Sequence, residues 1–404
     1  MTDGFITKKP KSEGKSLTCV SCGLYKDCKS PRMIPFGNFK RGIMNIGEAP
    51  GEIEDDRGKP WQGKMGVFLK NAYDDLGINL FDDCININAL RCRPTDNRKN
   101  NRAPKNSELN CCRQYVLKNI IKYQPKVIVL FGNSPLISVI GHRWKRDLGT
   151  ITKWRGWTIP DQEYNAWVCP MFHPSFVGRS EEERAYEVNT VWLQDLKQAI
   201  SLVDTPLPTY QEPNITILDK LSPLTKIREV FAIDYETTGL KPHADGHRII
   251  CCGIATDPDN VYVFMIPQTK AERKPLVDLL ADPHVAKMAH NIKFEDAWST
   301  VRLRQPVQNW VWDSMLAAHI LDNRRSITNL KFQVYVHFGI ADYASDVDPY
   351  IKPKGKANGN AFNQLTELLS KPNGKETLLK YCALDAVYEY RLAMLQRNLI
   401  KLPF

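Results

Sequence analysis

An apolar run closes on two carboxylates in Phe231-Ala232-Ile233-Asp234-Tyr235-Glu236-Thr237-Thr238-Gly239-Leu240. Side chains alternate along a strand, so Asp234 and Glu236 share a face, and a carboxylate pair at a strand tip suits a divalent cation. Two later stretches supply partners. Ala289-His290-Asn291-Ile292-Lys293-Phe294-Glu295-Asp296-Ala297-Trp298 sets an Asn and two carboxylates at the start of an amphipathic segment. Tyr381-Cys382-Ala383-Leu384-Asp385 lies in a helical run, Glu376 to Ile400, where i,i+4 spacing puts the phenol and the carboxylate on one face. Three separated carboxylate sites and a tyrosine are the set that two-metal phosphodiester hydrolysis requires. Two cations clamp the attacking and leaving oxygens, carboxylates hold the cations, and a phenol orients the water.

The first half carries a different chemistry. Cys19-Val20-Ser21-Cys22 is followed by Cys28, then by Cys92 in Leu90-Arg91-Cys92-Arg93-Pro94 and by the pair Cys111-Cys112. Two thiolates near the start and two from a distant loop make a four-thiolate site for zinc or an iron–sulfur cluster, and spacing alone favours zinc. Between them, Gly47-Glu48-Ala49-Pro50-Gly51 follows a short apolar strand, and Trp61 sits in a glycine-flanked loop ahead of a helix. Trp61 reads either as core or as an aromatic on which a base stacks.

These residues need a scaffold. Continuous apolar runs around Ile43, over Asp83 to Leu90, Lys126 to Gly132 and Ala166 to Phe172 read as strands, with helices over Glu108 to Tyr123 and Glu181 to Val203. The alternation predicts an α/β fold with a mainly parallel sheet, whose ligands lie beyond the C-terminal strand ends. Glu48, Asn88 and His173 all fall near such ends. The Arg-, Lys- and Asn-dense loop from Arg91 to Lys105 is polar enough to face phosphates. Residues 1–17 read as a flexible basic arm, 18–204 and 224–404 as two domains, and 205–223 as a Pro- and Thr-rich linker. The polar stretch Asp342 to Asn363 reads as a loop near the second site. With 404 residues, 43% of them hydrophobic, the chain is long enough for two cores. It has no apolar run long enough to span a bilayer and no signal-peptide core at the N-terminus, so an intracellular, cytoplasmic protein without a membrane partner is expected. A net charge of +10 favours a polyanionic partner.

The three carboxylate stretches, together with Trp312-Asp313-Ser314-Met315-Leu316-Ala317-Ala318-His319-Ile320-Leu321, resemble the 3′–5′ proofreading exonuclease domain of family A DNA polymerases, in the DEDD (DnaQ-like) superfamily. The resemblance covers roughly Leu224 to Phe404 and implies an RNase H-like domain with a mixed sheet. It implies that Asp234, Glu236 and Asp385 hold two Mg²⁺ or Mn²⁺ ions, that Tyr381 orients the water, and that Asn291 meets the DNA. The second motif of that family ends in Asp; here Glu295 takes the position, with Asp296 in reserve.

The C-x-x-C start, Gly47 to Gly51, Gly58-x-Pro60-Trp61-x-Gly63-x-x-Gly66, Asn88-x-x-x-Cys92-Arg93-Pro94, Pro125-Lys126-Val127-Ile128 and His173-Pro174-Ser175 resemble the family 4-type uracil-DNA glycosylases over about Thr18 to Ile200. That resemblance implies a [4Fe–4S] cluster on Cys19, Cys22, Cys92 and Cys112. Cys112 is preferred to Cys111 because the family places its last cysteine four residues after an acidic residue, here Glu108; Cys28 is an alternative. It also implies that Trp61 stacks on uracil, Asn88 bonds its polar edge, and Gly47, Ala49 and Gly51 hold ring and sugar. His173 would stabilise charge on the departing base, and Glu48 and Glu54 would position water or the sugar cation. Trp61 stands where the family has Phe, Gln62 and Met65 replace smaller or apolar residues, and the Cys92–Cys112 loop is longer than usual.

Three functions follow as expectations. One is an enzyme combining uracil excision with Mg²⁺-dependent 3′–5′ exonuclease activity. Another is an exonuclease whose first domain binds DNA or senses uracil without cleaving. The third is a non-enzymatic replication scaffold. Because these residues contain no polymerase palm motif, a separate DNA polymerase is the expected partner beside DNA itself, in a phage or bacterial replication system.

Overall fold

In the computed structural model, residues 18–96, 99–178, 182–353 and 360–401 are described, so the expected basic arm, 1–17, lies outside them. Four strands carry the first unit: Ile43–Gly47 (β1), Cys84–Asn88 (β2), Val127–Phe131 (β3) and Ala166–Met171 (β4). They pair in parallel in the order β2-β1-β3-β4. Nearly every residue of the four is buried, as an unbroken apolar run requires when a sheet is covered on both faces. Alternate residues Val127, Val129 and Phe131 meet Leu69, Ala72 and Tyr73 of Lys64–Asp74 (α1) and Trp192, Leu196 and Ala199 of Glu182–Ser201. The polar groups inside are paired: Tyr73 donates to Asn45 Oδ1 (2.6 Å), and Asn45 Nδ2 to Asn86 Oδ1 (3.0 Å).

The chain divides into two compact units, Met1–Thr158 with Tyr164–Leu207, and Ile159–Glu163 with Pro208–Phe404. The second holds a six-stranded mixed sheet of Asn214–Ile217 (β5), Phe231–Thr237 (β6), Ile249–Ala255 (β7), Asn260–Met265 (β8), Lys287–Ala289 (β9) and Trp310–Asp313 (β10). The order is β10-β9-β6-β7-β8-β5, with β6–β7 and β7–β8 antiparallel and the other pairs parallel. One face meets the long helix Gly374–Ile400 (α2), through Tyr381, Cys382, Ala386 and Val387. The other packs Ile233 and Tyr235 against Leu276, Leu280 and Trp298. The long helix lies so close that a Cβ on Gly253 of β7 would sit 2.7 Å from the Cys382 carbonyl oxygen, so only glycine fits there.

The stretch expected as a linker, 205–223, is a linker only in part. Asn214–Ile217 pairs with β8 as an edge strand. Two of its four residues, Asn214 and Thr216, are polar and its side chains are mostly exposed, so an apolar pattern was never required of it. The polar stretch Asp342 to Asn363 likewise contains a helical turn, Asp348–Ile351, and Asn363 donates both from its backbone to Thr238 O (2.9 Å) and from Nδ2 to Thr237 O (2.7 Å).

Candidate active sites in the two units

Asp234 and Glu236 stand on β6, and Asp385 faces them from α2. One carboxylate oxygen from each lies within 4.8 Å of the others. Among the described residues, Lys331 partly offsets them. Lys331 Nζ, from Leu330–Phe338 (α3), pairs with Asp385 Oδ1 and lies 4.5 Å over the Tyr381 ring and 4.9 Å over the Tyr343 ring. Tyr343 also donates to Asp385 Oδ1 (2.8 Å). The charge imbalance shifts the carboxyl pKa values. Burial, and then the Asp385 charge, pushes Asp234 up to about 7, with Lys331 opposing. Burial, and then Asp234, pushes Glu236 and Glu295 well above the usual carboxylate range. Asp234 Oδ2 and Glu295 Oε2 are buried with no hydrogen-bond partner among the described residues. Hard oxygen donors, crowded, buried and short of positive charge, fit divalent cations. Tyr381, one turn before Asp385, keeps its proton, because burial and the Asp385 charge raise its pKa further.

The second motif is set by Asp313, at the end of β10. Its carboxylate accepts from Asn291 N (3.1 Å), Ile292 N (3.0 Å), Met315 N (3.0 Å) and Leu316 N (3.2 Å). These bonds hold Asn291 in the left-handed region at φ 76° and start two helices, Ile292–Trp298 (α4) and Ser314–Leu321 (α5). Successive helix residues point about 100° apart, so Glu295 and Asp296 part company. Glu295 turns into the site beside Asp234. Asp296 turns away, accepting from Val307 N (3.1 Å) and Trp310 Nε1 (3.3 Å). Asp296 is therefore a brace, and Glu295 is the one of the two that lines the cleft beside Asp234. Asp234, His290, Asn291, Phe294 and Glu295 line a cleft of about 490 Å³ with Thr328 and Asn329 on another wall.

Several residues of this site escaped sequence reading. Lys331 and Tyr343 come from segments with no chemical motif of their own. Glu389 is 1% exposed and follows Tyr381 and Asp385 at the same four-residue step, a signal that periodicity alone could have raised.

In the first unit the expected residues gather at the strand ends. Gly47 and Asn88 are partners in register across β1 and β2. An added Cβ at Gly47 would lie 2.4 Å from Asn88 Oδ1 and 3.0 Å from the Trp61 ring, so a side chain is excluded there. Trp61 adopts φ 58°, its ring edge-on to Phe131 at 5.5 Å and stacked on His173 at 5.8 Å. His173 Nδ1 accepts from Ser175 N (3.1 Å), which leaves Nε2 as the protonated nitrogen of the neutral ring. Glu48 Oε2 accepts from Ser134 Oγ (3.0 Å). Glu54 is different from expectation. Its carboxylate accepts from Gly51 N (3.1 Å), Gln62 N (2.9 Å) and Gly63 N (2.7 Å), clamping the Gly51 loop to the Trp61 loop rather than facing a sugar. Gly51 contributes to that clamp, and Ala49 packs toward the thiols.

Cys22, Cys28, Cys92 and Cys112 share one apolar cluster with Leu24, Leu90 and Leu109. Cys19 opens the same helical turn as Cys22, Cys19–Cys22, and its charge reaches Cys112. Cys111 Sγ lies 3.8 Å from Ser21 Oγ. Arg32 N donates to Cys92 Sγ (3.3 Å). Burial pushes the Cys112 and Cys28 thiols up to about 12. Thiols gathered in an apolar pocket suit a soft metal centre that would take them as thiolates. Glu108 does not face them as a free acid: it is ion-paired to Arg102 (2.6 Å) and caps its helix at Lys105 N (2.8 Å).

Comparison with known proteins assigns each unit. Residues 34–197 match the uracil DNA glycosylase superfamily. A type-4 uracil-DNA glycosylase of Thermotoga maritima is 32% identical over 185 residues, 46% of this chain and 89% of that protein. The chain belongs to the type-4 uracil-DNA glycosylase family. Another such glycosylase, from Saccharolobus solfataricus, is 34% identical over 163 residues, 39% of this chain and 71% of that protein. Beyond the glycosylase part, residues 214–400 match the 3′-5′ exonuclease family. A DNA polymerase of Bacillus phage SP01 is 24% identical over 364 residues, spanning 80% of this chain and 37% of that polymerase. The chain is thus an enzyme of DNA repair and nuclease chemistry, with a glycosylase unit and an exonuclease unit. No helix among the described residues is long and apolar enough to cross a membrane.

Proposed function

We infer that this enzyme trims DNA from the 3′ end with two divalent cations and excises uracil from the same substrate. The observation that carries the first half is the carboxylate centre, buried and underpaired at Asp234 Oδ2 and Glu295 Oε2. Asp234, Glu236 and Asp385 would hold Mg²⁺ or Mn²⁺, with Glu295 completing the set. Bound there, the cations supply charge for the attacking water and the departing oxygen. The chain's own groups do the rest: Tyr381, protonated, orients the water, and Asn291 and Phe294 seat the terminal nucleotide in the cleft.

In the glycosylase unit the base would leave the stack and enter beside Gly47. Trp61 offers a stacking face, Asn88 an amide to the polar edge, and His173 Nε2–H a donor to the oxygen that gains charge as the base departs. Cys19, Cys22, Cys92 and Cys112 would hold a [4Fe–4S] cluster, which ties the N-terminal turn to the helix after the Arg91 corner. A second reading, uracil sensing without cleavage, is favoured by Trp61 itself, whose ring already presses against Gly47 where a smaller aromatic would leave room. The likeness to part of a phage DNA polymerase supports a proofreading role in DNA synthesis, with DNA polymerase activity as the partner function.

The deciding experiment is incubation of the protein with a 5′-labelled single strand containing one uracil, with Mg²⁺ or with EDTA. An alkali-labile site in EDTA and a Mg²⁺-dependent ladder from the 3′ end are both expected. A ladder without the alkali-labile site would leave the sensing reading, and neither product would remove the enzymatic one.

A further inference from the structure

A line of side chains runs behind the carboxylate centre of the second unit. Glu389 lies one turn beyond Asp385 on α2, and its Oε2 is hydrogen-bonded to Ser314 Oγ at the start of α5. Ser314 Oγ is in turn 2.8 Å from His290 Nδ1. The backbone carbonyl of Thr328 accepts from the same ring; with Nδ1 engaged by Ser314, the donor is Nε2. His290 and Thr328 both line the cleft. The contacts therefore link the helix that carries Tyr381 and Asp385 to two walls of the cleft.

With the His290 ring neutral and Thr328 accepting from Nε2, one arrangement of the protons satisfies every contact of this line. Burial holds the His290 imidazole neutral, pulling its pKa down to about 4. A neutral ring has one N–H, and Thr328 takes it. Nδ1 must then accept from the Ser314 hydroxyl. Ser314 has one hydrogen, so the Glu389 carboxyl must donate to its oxygen. An ionised Glu389 would draw that hydrogen to itself and leave Nδ1 without a donor. Glu389 Oε1 is buried with no partner among the described residues, a place that suits a neutral acid far better than an anion. The charges that reach Glu389 are of its own sign, from Asp313, Asp234 and Asp385 and, across the site, Glu295. The only basic group near it is neutral His290, 3.8 Å away among the described residues. Burial first, and these charges with it, push Glu389 up to about 8 against the lowering effect of its hydrogen bond with Ser314.

We propose that Glu389 is a positioning residue of the exonuclease site that acts as a neutral acid, holding Ser314, His290 and Thr328 in line and so setting the cleft in which Glu295 meets Asp234. The inference rests on the exonuclease reading of this unit. Its test compares Glu389→Gln, Glu389→Leu and Ser314→Ala in the full chain, beside wild type and Asp234→Asn. The kcat/KM for Mg²⁺-dependent 3′ trimming should fall about tenfold or more in Glu389→Leu and Ser314→Ala, and Glu389→Gln should restore it to within about threefold. A glutamine amide can still donate to Ser314, and it cannot ionise. Wild type should lose activity above about pH 8 as the acid ionises, whereas Glu389→Gln should not. In metal-free protein at neutral pH, where Glu236 and Glu295 are protonated as well, the infrared carbonyl envelope of protonated acids should lose one component in Glu389→Gln relative to wild type.

Two results overturn the proposal: a Glu389→Gln variant as impaired as Glu389→Leu with a higher Mg²⁺ requirement, which would make Glu389 an anionic metal-binding group, or a protonated-acid envelope identical in wild type and Glu389→Gln. The difference between wild type and Glu389→Gln is read without activity, so it decides the matter even if Glu389→Leu fails to fold. Equal inactivity of wild type and Asp234→Asn would instead remove the exonuclease reading.

Discussion

Replacing Asp313 by alanine removes four hydrogen bonds at once without touching a proposed metal ligand. Two of them, to Met315 and Leu316, cap α5; two more hold the Asn291 and Ile292 amides. Loss of the cap costs about 1 kcal/mol. The two charge-assisted bonds to 291 and 292 are worth about 1.5 kcal/mol each, which brings the total to about 4 kcal/mol. The cost to activity follows from geometry. Asn291 stays at φ 76° because Asp313 holds its N–H, and that conformation sets the phase of the helix that points Glu295 inward. Release should lower 3′ trimming on the order of 10–100-fold, the usual cost of removing a group that orients a ligand. Asp313→Asn keeps the Oδ1 acceptor and loses only the bond to Ile292, so it should cost about 1.5 kcal/mol. The assays are denaturant unfolding, hydrogen exchange at the Asn291 and Ile292 amides, and single-turnover trimming across a Mg²⁺ titration. An Asp313→Ala protein with unchanged exchange at those amides and full turnover would refute the reasoning.

Other outcomes follow from the same geometry. Glu295→Gln should abolish 3′ trimming, while Asp296→Asn should retain it and lower stability by about 1 kcal/mol, since only the Val307 and Trp310 contacts are weakened; activity and unfolding of the two variants check this. Raised carboxyl pKa values mean that the folded, metal-free unit holds protons the unfolded chain has released, so its stability is greatest below the ordinary carboxylate range and falls as pH rises through about 7. Mg²⁺ must displace those protons, and thermal melts should show a larger Mg²⁺-induced rise in Tm at about pH 8 than at about pH 5.5. Gly47→Ala should abolish uracil excision and leave trimming intact, because its Cβ meets Asn88 Oδ1 at 2.4 Å; the labelled uracil strand reads both. Cys92→Ser should lose bound iron and the visible absorption of a cluster, measured on anaerobically purified protein.

Local periodicity made much of this legible before any fold was known. Asp234 and Glu236 share a face because a strand alternates, and Tyr381 and Asp385 because a helix repeats near four; both relations hold whatever surrounds them. The apolar runs at Ile43, Cys84, Val127 and Ala166 needed covering on both faces, so the parallel α/β sheet followed from them. Their ends placed Gly47, Asn88 and His173 together. Relations between segments were another matter. Whether Glu295 or Asp296 entered the site depended on the phase of one short helix, which Asp313 sets from a different strand. Glu54 looked like a group for the sugar until the fold brought three backbone N–H groups to it. Lys331, Tyr343 and Glu389 join the centre because separate segments converge on Asp385 and on the sheet. Spacing along a chain constrains neighbours within one element, whereas burial, charge balance and the direction of a carboxylate depend on which elements pack together.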